Sequence, residues 1–268
     1  MSGAIHIASF KNPPVAEVVC GAQFAQLASM LAPHLGIFWK SLGEDFSHCE
    51  AHPLLPPFIE PKGDKPQEMS FEAPPVPPFP RTWFVHRGGA EVVQVQPDRL
   101  LANWRRIGES ETYPRFSAVR EKFEAHLRTF ASFSEDSGFG QLRFKQFELT
   151  YVNHIPVNQL SDAGAVFPDI AWRADATRFL TPPESLHWHA SFVLPEKQGR
   201  LRTTLKPAVR RTDNHPLLVL EMTARGIGTP ATEDARRNWF DLAHEWIIKG
   251  FVDLTSEHFQ TEVWGRTK

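Results

Sequence analysis

The chain has 268 residues, long enough for one large or two small domains whose core needs neither metal nor disulfide. A composition of 41% hydrophobic and 22% charged residues excludes a disordered or fibrous chain. A formal charge of −2 excludes a strongly cationic nucleic-acid protein at the level of the whole chain, though not a local basic patch.

Proline is frequent at 23 residues, and the aromatics are 21 Phe and 8 Trp against 2 Tyr. Met1 to Lys11 has no basic region followed by an apolar one, so no secretory leader is expected. Val18 to Trp39 lacks charged residues, but Gln23, Gln26, Pro33 and His34 interrupt it and argue against a membrane span. The expectation is a soluble cytoplasmic protein in which Cys20 and Cys49 are free, buried thiols.

Val15 to Leu27 reads as a strand that is apolar on both faces, introduced by Asn12-Pro13-Pro14. Leu35, Phe38, Leu42 and Phe46 predict a helix over His34 to Phe46. Ten prolines between Pro53 and Pro80 exclude helix and central strand and predict an extended excursion, either a packed loop or a ligand for a proline-recognising groove. Trp83 to Arg87 and Glu91 to Gln96 are two short strands joined by Gly88-Gly89. Phe116, Val119, Phe123, Leu127 and Phe130 predict a long amphipathic helix that opens after Tyr113-Pro114 and ends at Ser137-Gly138. Leu142 to Ile155 is a long strand whose alternation changes phase, which predicts a bulge near Gln146.

Residues 156 to 184 carry turn residues and weak periodicity, and mark a boundary between halves. Three strands then alternate strictly, through Leu186 to Leu194, Leu201 to Val209 and Leu218 to Ala224. A final helix starts near Thr232 with a wide apolar face that includes Trp239, Phe240, Trp246 and Ile247. The fold class is therefore α+β, with antiparallel sheet and long amphipathic helices packed on one face, in the order β-α-β-β-α-β followed by β-β-β-α. A ferredoxin-like half over 1-155, with its Pro-rich insertion at 53-80, would be joined to a three-stranded sheet and helix over 156-268, in two units or one continuous domain.

No phosphate-binding glycine loop, dinucleotide fingerprint, nucleophile elbow or zincin motif is present in the sequence. Catalytic residues, metal ligands and cofactors are therefore not assigned. The strongest local signal is cationic. Arg200, Arg202 and Lys206 share one face of a strand, Arg210 and Arg211 continue it, and His187 and His189 lie on the neighbouring strand. Placing Leu194 opposite Leu201 puts His189 opposite Lys206. This face could hold an anion, RNA or an acidic partner; the simpler account is a solvated face balanced by carboxylates. Gln94, Gln96 and Arg99, together with Asn153 and His154, are candidates for a polar groove, against the simpler account of polar strand faces and a satisfied histidine.

Several short motifs carry a resemblance: Asn12-Pro13-Pro14-Val15 leading to Glu17, Gln94-x-Gln96, Trp104-Arg105, Tyr113-Pro114-Arg115-Phe116, Leu149-x-Tyr151-Val152-Asn153-His154-Ile155, and Trp264-Gly265 near the end. Together they resemble an uncharacterised, sporadically distributed family of prokaryotic proteins with no established activity. The resemblance implies an accessory role, in defence or mobile-element loci, and implies no catalytic residue.

Three functions follow as expectations. The first is a non-catalytic binding or assembly protein that docks a macromolecular partner, a protein foremost, as an accessory component of a prokaryotic defence system, with a homo-oligomer as a further option. The second is an RNA-binding protein or metal-independent ribonuclease using the basic face and a histidine. The third is a small-ligand pocket between the last helix and the second sheet, lined by Trp188, Phe192, Trp239 and Trp246.

Overall fold

A computed structural model describes residues 8–56, 58–60, 79–108, 111–159, 162–170, 179–180, 183–226 and 232–267. Most of the Pro-rich segment, including Pro75-Val76-Pro77-Pro78, lies outside the described residues.

The described strands form one nine-stranded antiparallel sheet. In chain order they are β1 (Val15–Phe24), β2 (His48–His52), β3 (Arg81–Val85), β4 (Glu91–Gln96), β5 (Arg99–Arg105), β6 (Phe144–Pro156), β7 (Trp188–Val193), β8 (Gly199–Arg210) and β9 (His215–Gly226). Across the sheet they run β2-β3-β4-β5-β1-β6-β9-β8-β7. The protein is thus α+β, as its periodicities predict. β6 pairs with β1 on one side and β9 on the other, so a single sheet runs through the position where the sequence suggests a boundary.

One face of the sheet carries the helices α1 (Ala32–Ser41), α2 (Phe116–Asp136), α3 (Ala163–Val166) and α4 (Glu233–Leu254). Against them the sheet presents Val18, Cys20, Ala22 and Phe24 from β1, Phe147 and Leu149 from β6, and Leu220, Met222 and Ala224 from β9. The stripe read from the sequence is the buried face of α2, and its rings interleave with those of its neighbours: Phe24 with Phe130 at 5.5 Å and Phe123 with Phe240 at 5.3 Å. Thr232 caps α4, its Oγ1 accepting from the Ala235 N–H at 3.1 Å, as expected from the sequence. Glu124 of α2 and Arg236 of α4 form a buried ion pair, with Arg236 Nε donating to Oε1 at 3.0 Å. The predicted bulge is present: Gln23 faces Gln146 while Phe24 faces Phe144, so Lys145 is the extra residue. A second bulge at Ala16 turns Val15 onto the helix face, beside Val18.

Four expectations are corrected. β2 and β5 are strands that the sequence reading leaves out. β2, His-Cys-Glu-Ala-His, is too polar to signal one. β5 follows β4 through a two-residue turn, Pro97-Asp98, that hides the break between strands. Cys49 is exposed on β2, whereas Cys20 is buried as expected. His189 faces Thr204 rather than Lys206, because Leu194 leaves the strand to bond Gly199 across a tight turn, which moves the hairpin register by two residues. Trp239 packs under β9, where a Cβ on Gly226 would fall 2.4 Å from its indole nitrogen, so glycine is required there.

The far face carries polar rows set by strand register. Gln96, Arg99, Gln23 and Gln146 are partners in turn across β4, β5, β1 and β6. The chain covers this row itself. Gln96 exchanges hydrogen bonds with the backbone of Leu55 at 3.1 and 3.3 Å, and Arg99 donates to the Pro56 carbonyl at 3.4 Å. Gln146 donates to the Phe58 carbonyl at 2.6 Å and accepts from the Glu60 N–H at 3.0 Å. The start of the Pro-rich segment is therefore a strap laid across the strands. Side-chain amides satisfy its backbone where no ladder can. Among the described residues no helix is long and apolar enough to cross a membrane.

Candidate functional site

A cavity of about 390 Å³ opens on the helix face, between the first turn of α2, the middle of α4 and the strand ends of β1 and β6. Two features of the sequence build it. Pro13-Pro14 lack N–H groups and cannot donate to a ladder, so β1 starts after them, although the Pro14 carbonyl still accepts from the His154 N–H at 2.9 Å; the segment before them lays Phe10 against Phe251 of α4 at 5.6 Å. There it is tied to the other end of the chain: the N–H groups of Lys11 and Asn12 donate to the carbonyls of Gly265 and Trp264 at 3.1 and 3.0 Å. Gly265 adopts a φ of 63° at this junction, and the Trp264 ring seals it against Phe10 and Phe251 at 6.3 and 5.0 Å.

The cavity is apolar over most of its wall, through Phe10, Val15, Phe116, Ile247 and Phe251. A few polar groups converge on it. Tyr113 and Tyr151, the two tyrosines of the chain, join hydroxyls at 2.7 Å. One hydroxyl donates to the other, so the pair keeps one O–H and free lone pairs to offer. Burial pushes both phenols well above their ordinary range, so both stay protonated. His244 of α4 stacks flat on Phe116, centroids 4.2 Å apart and planes 7° apart, with its ring 6.0 Å from that of Tyr151. Burial, with Arg120 adding to it, lowers the imidazole to about 4, so it is neutral at pH 7. Neither of its ring nitrogens has a hydrogen-bond partner among the described residues. Asn153 completes the polar set, its amide donating to the Leu220 carbonyl at 3.2 Å.

Arg115 stands at the mouth with a φ of 75° and a ψ of 153°, a backbone region that is otherwise close to glycine-only. It lies between Pro114 and the first residue of α2, and its guanidinium donates to the Phe10 carbonyl at 3.4 Å. Strain of about 1–3 kcal/mol at a single residue is characteristic of ligand sites. The chemistry on offer is neutral hydrogen bonding inside an apolar enclosure, with one cation at the entrance. It suits a small, mostly apolar molecule bearing a carbonyl or hydroxyl.

The residues singled out from the sequence fall in four places. Arg200 and Arg202 reach Glu60 of the strap, at 3.4 Å from Arg200 and 2.8 Å from Arg202 Nε, and the Glu60 side chain is fully buried. Phe58 lies beneath the guanidiniums of Arg202 and Arg225 at 4.9 and 5.1 Å. Part of the cationic face therefore holds the chain's own strap. Lys206, Arg211, His187 and His189 are exposed, and Arg210 is bound to Asp213 at 2.7 Å. Gln94, Gln96 and Arg99 share the far face: Gln94 donates to Asn103 at 2.8 Å, and Asn103 in turn donates to Glu17. Burial holds the Glu17 carboxyl above its usual range. Asn153 and His154 do not join that groove. As neighbours on a strand they point to opposite faces, Asn153 into the cavity and His154 onto the exposed far side. Among the described residues no three His, Cys, Asp or Glu side chains are grouped to hold a metal ion.

A second opening, a groove of about 630 Å³, lies between β7 and α4 at the place expected for a small-ligand pocket. Trp188, Phe192 and Trp246 line it as expected, and Trp239 does not: its indole N–H donates to the Gln198 carbonyl at 3.1 Å, away from the groove.

Sequence reasoning missed Tyr113, His244 and Arg115 as site residues. His244 reads as the solvent side of α4, yet the start of α2 covers it. The one available signal is the scarcity of tyrosine together with the placement of both tyrosines in motifs. Four of those motifs, around Pro13-Pro14, Tyr113–Phe116, Tyr151–Asn153 and Trp264-Gly265, meet at this cavity or its seal. No family model and no curated protein matches the chain, in keeping with its resemblance to an uncharacterised family.

Proposed function

We propose that the protein binds a small, uncharged, largely apolar molecule in the cavity between α2, α4 and the sheet. The Tyr113–Tyr151 hydroxyl pair would hold a carbonyl or hydroxyl of the ligand, and His244 would offer a neutral nitrogen beside it. One observation carries the reading. The two tyrosines of the chain are paired at 2.7 Å on the wall of an apolar cavity, beside an unpartnered imidazole held neutral. Buried hydroxyls in a wall of aromatic and aliphatic side chains fix the orientation of a small ligand at little desolvation cost.

A thermal-shift screen of uncharged ketones, lactones and phenols tests it. Molecules that raise the melting temperature should share a carbonyl or hydroxyl. They should lose affinity by about tenfold in Tyr151→Phe, the worth of one neutral hydrogen bond of about 1.4 kcal/mol. Ser117→Trp, at the exposed mouth of the cavity, should abolish the shift. A screen without hits, or hits indifferent to both substitutions, contradicts the reading.

A further inference from the structure

The edge of the sheet at β7 presents an unmet surface that is independent of the cavity. β7 pairs with β8 alone and has no strand on its other side among the described residues. Such an edge displays a row of unpaired N–H and C=O groups. Proteins commonly blunt these edges with proline, lysine or inward charges, and β7, Trp-His-Ala-Ser-Phe-Val, has none of them. At the opposite edge β2 carries Glu50, engaged by His48 and His52 at 3.5 and 3.0 Å.

The groove described above runs along this edge. Trp188, Ala190 and Phe192, the helix-side residues of β7, form one wall, Leu201 the floor, and Trp246 and Leu254 of α4 the other wall. Side chains alternate along a strand, so a chain added to β7 would send every second side chain into this apolar trough. The rim is acidic. Glu245 is paired with Lys249, but Asp169 and Asp253 have no cationic partner among the described residues.

From these placements we infer that β7 and α4 form a docking site for an extended peptide segment of a partner protein. The segment adds as a strand along β7, sends alternate apolar side chains into the groove, and sets a lysine or arginine against Asp169 and Asp253. Strand addition would supply affinity through the backbone, the trough would read side chains, and the rim would read charge. A second copy of this chain is disfavoured as the occupant. Pairing β7 with another β7 would bring two acidic rims together on one side of the joined sheet.

The test uses fluorescein-labelled decapeptides with valine, leucine or phenylalanine at alternate positions, threonine between them, and one lysine. Matched peptides carry glutamate in place of the lysine. The lysine peptides should bind by fluorescence anisotropy, and the glutamate peptides about tenfold more weakly or worse. Asp253→Lys, an exposed change, should reverse that order. N-methylation of alternate peptide nitrogens, on the register that faces β7, should abolish binding because it removes the donors of the new ladder. Four results would overturn the proposal: no binding at peptide concentrations of about 1 mM, equal binding of the N-methylated peptides, an order unchanged by Asp253→Lys, or a dimer in light scattering that Phe192→Asp dissociates.

Discussion

Arg115 and His244 show how single residues depart from what folding alone would choose. Arg115 holds a backbone geometry that glycine would adopt freely, at the entrance to the cavity. Arg115→Gly relieves that strain but raises the entropy of the unfolded chain, so stability is expected to stay level or rise by about 1 kcal/mol while ligand affinity falls. Urea denaturation alongside a binding assay checks this, and a loss of more than about 1 kcal/mol would remove strain from the explanation of the site. His244 is an imidazole that the fold keeps neutral, lowered to about 4 chiefly by burial. The unfolded chain, with a pKa near its ordinary value of 6.5, binds the proton more readily. Stability is therefore complete above pH 6.5 and is lost as the pH falls toward 4, by up to about 3 kcal/mol from this group. His154, also lowered by burial, adds in the same direction, while Glu91, held at about 2, acts only at lower pH. In denaturation curves at pH 7, 5.5 and 4.5, His244→Phe should flatten most of this dependence while keeping the stack on Phe116; an unchanged slope would place the proton elsewhere.

At the scale of elements, the sequence showed best whatever is periodic. The stripe of α2, the alternation of β8 and β9, the bulge in β6 and the Thr232 cap all appear where local pattern puts them. β2 and β5 were hidden because their signals are not local. β2 is held by pairing with β3, and the polar residues of β5 find partners far away in sequence, Arg99 at the Pro56 carbonyl of the strap and Asn103 at Glu17 of β1. The register of the β7–β8 hairpin depended on a turn that closes between Leu194 and Gly199, with Glu196 and Lys197 at φ values of 53° and 57°. Residues of this type give no warning of left-handed backbone. The Glu124–Arg236 pair between α2 and α4 is likewise invisible to either helix alone. Removing one partner leaves a buried charge uncompensated, so Glu124→Leu or Arg236→Met should each destabilise by about 3–5 kcal/mol. The double variant should recover most of that loss, because an apolar pair suits the same interface. A double-mutant cycle measured by chemical denaturation decides it, and additive losses would show that the two side chains act separately.

For the molecule as a whole, one sheet organises two kinds of surface. On the far face polar rows hold the chain's own strap, with Glu60 set between Arg200 and Arg202 and Phe58 under the neighbouring guanidiniums. The cationic strand was legible in the sequence, but the carboxylate that meets it lies some 140 residues earlier, as the separation of Arg200 and Glu60 shows. The helix face carries the hydrogen-bonding cavity at Tyr113 and Tyr151 and, apart from it, the acidic-rimmed groove along β7. The cavity assembles residues from both ends of the chain and its middle, so no single stretch reveals it; only the gathering of scattered motifs does.

Native mass spectrometry of the protein isolated gently from its own cells tests the cavity most directly. The expected result is the chain plus the mass of one small organic molecule, lost in Ser117→Trp and weakened in Tyr151→Phe. A wild-type spectrum showing the bare chain, or an added mass retained when the mouth is blocked, would contradict ligand binding at this site.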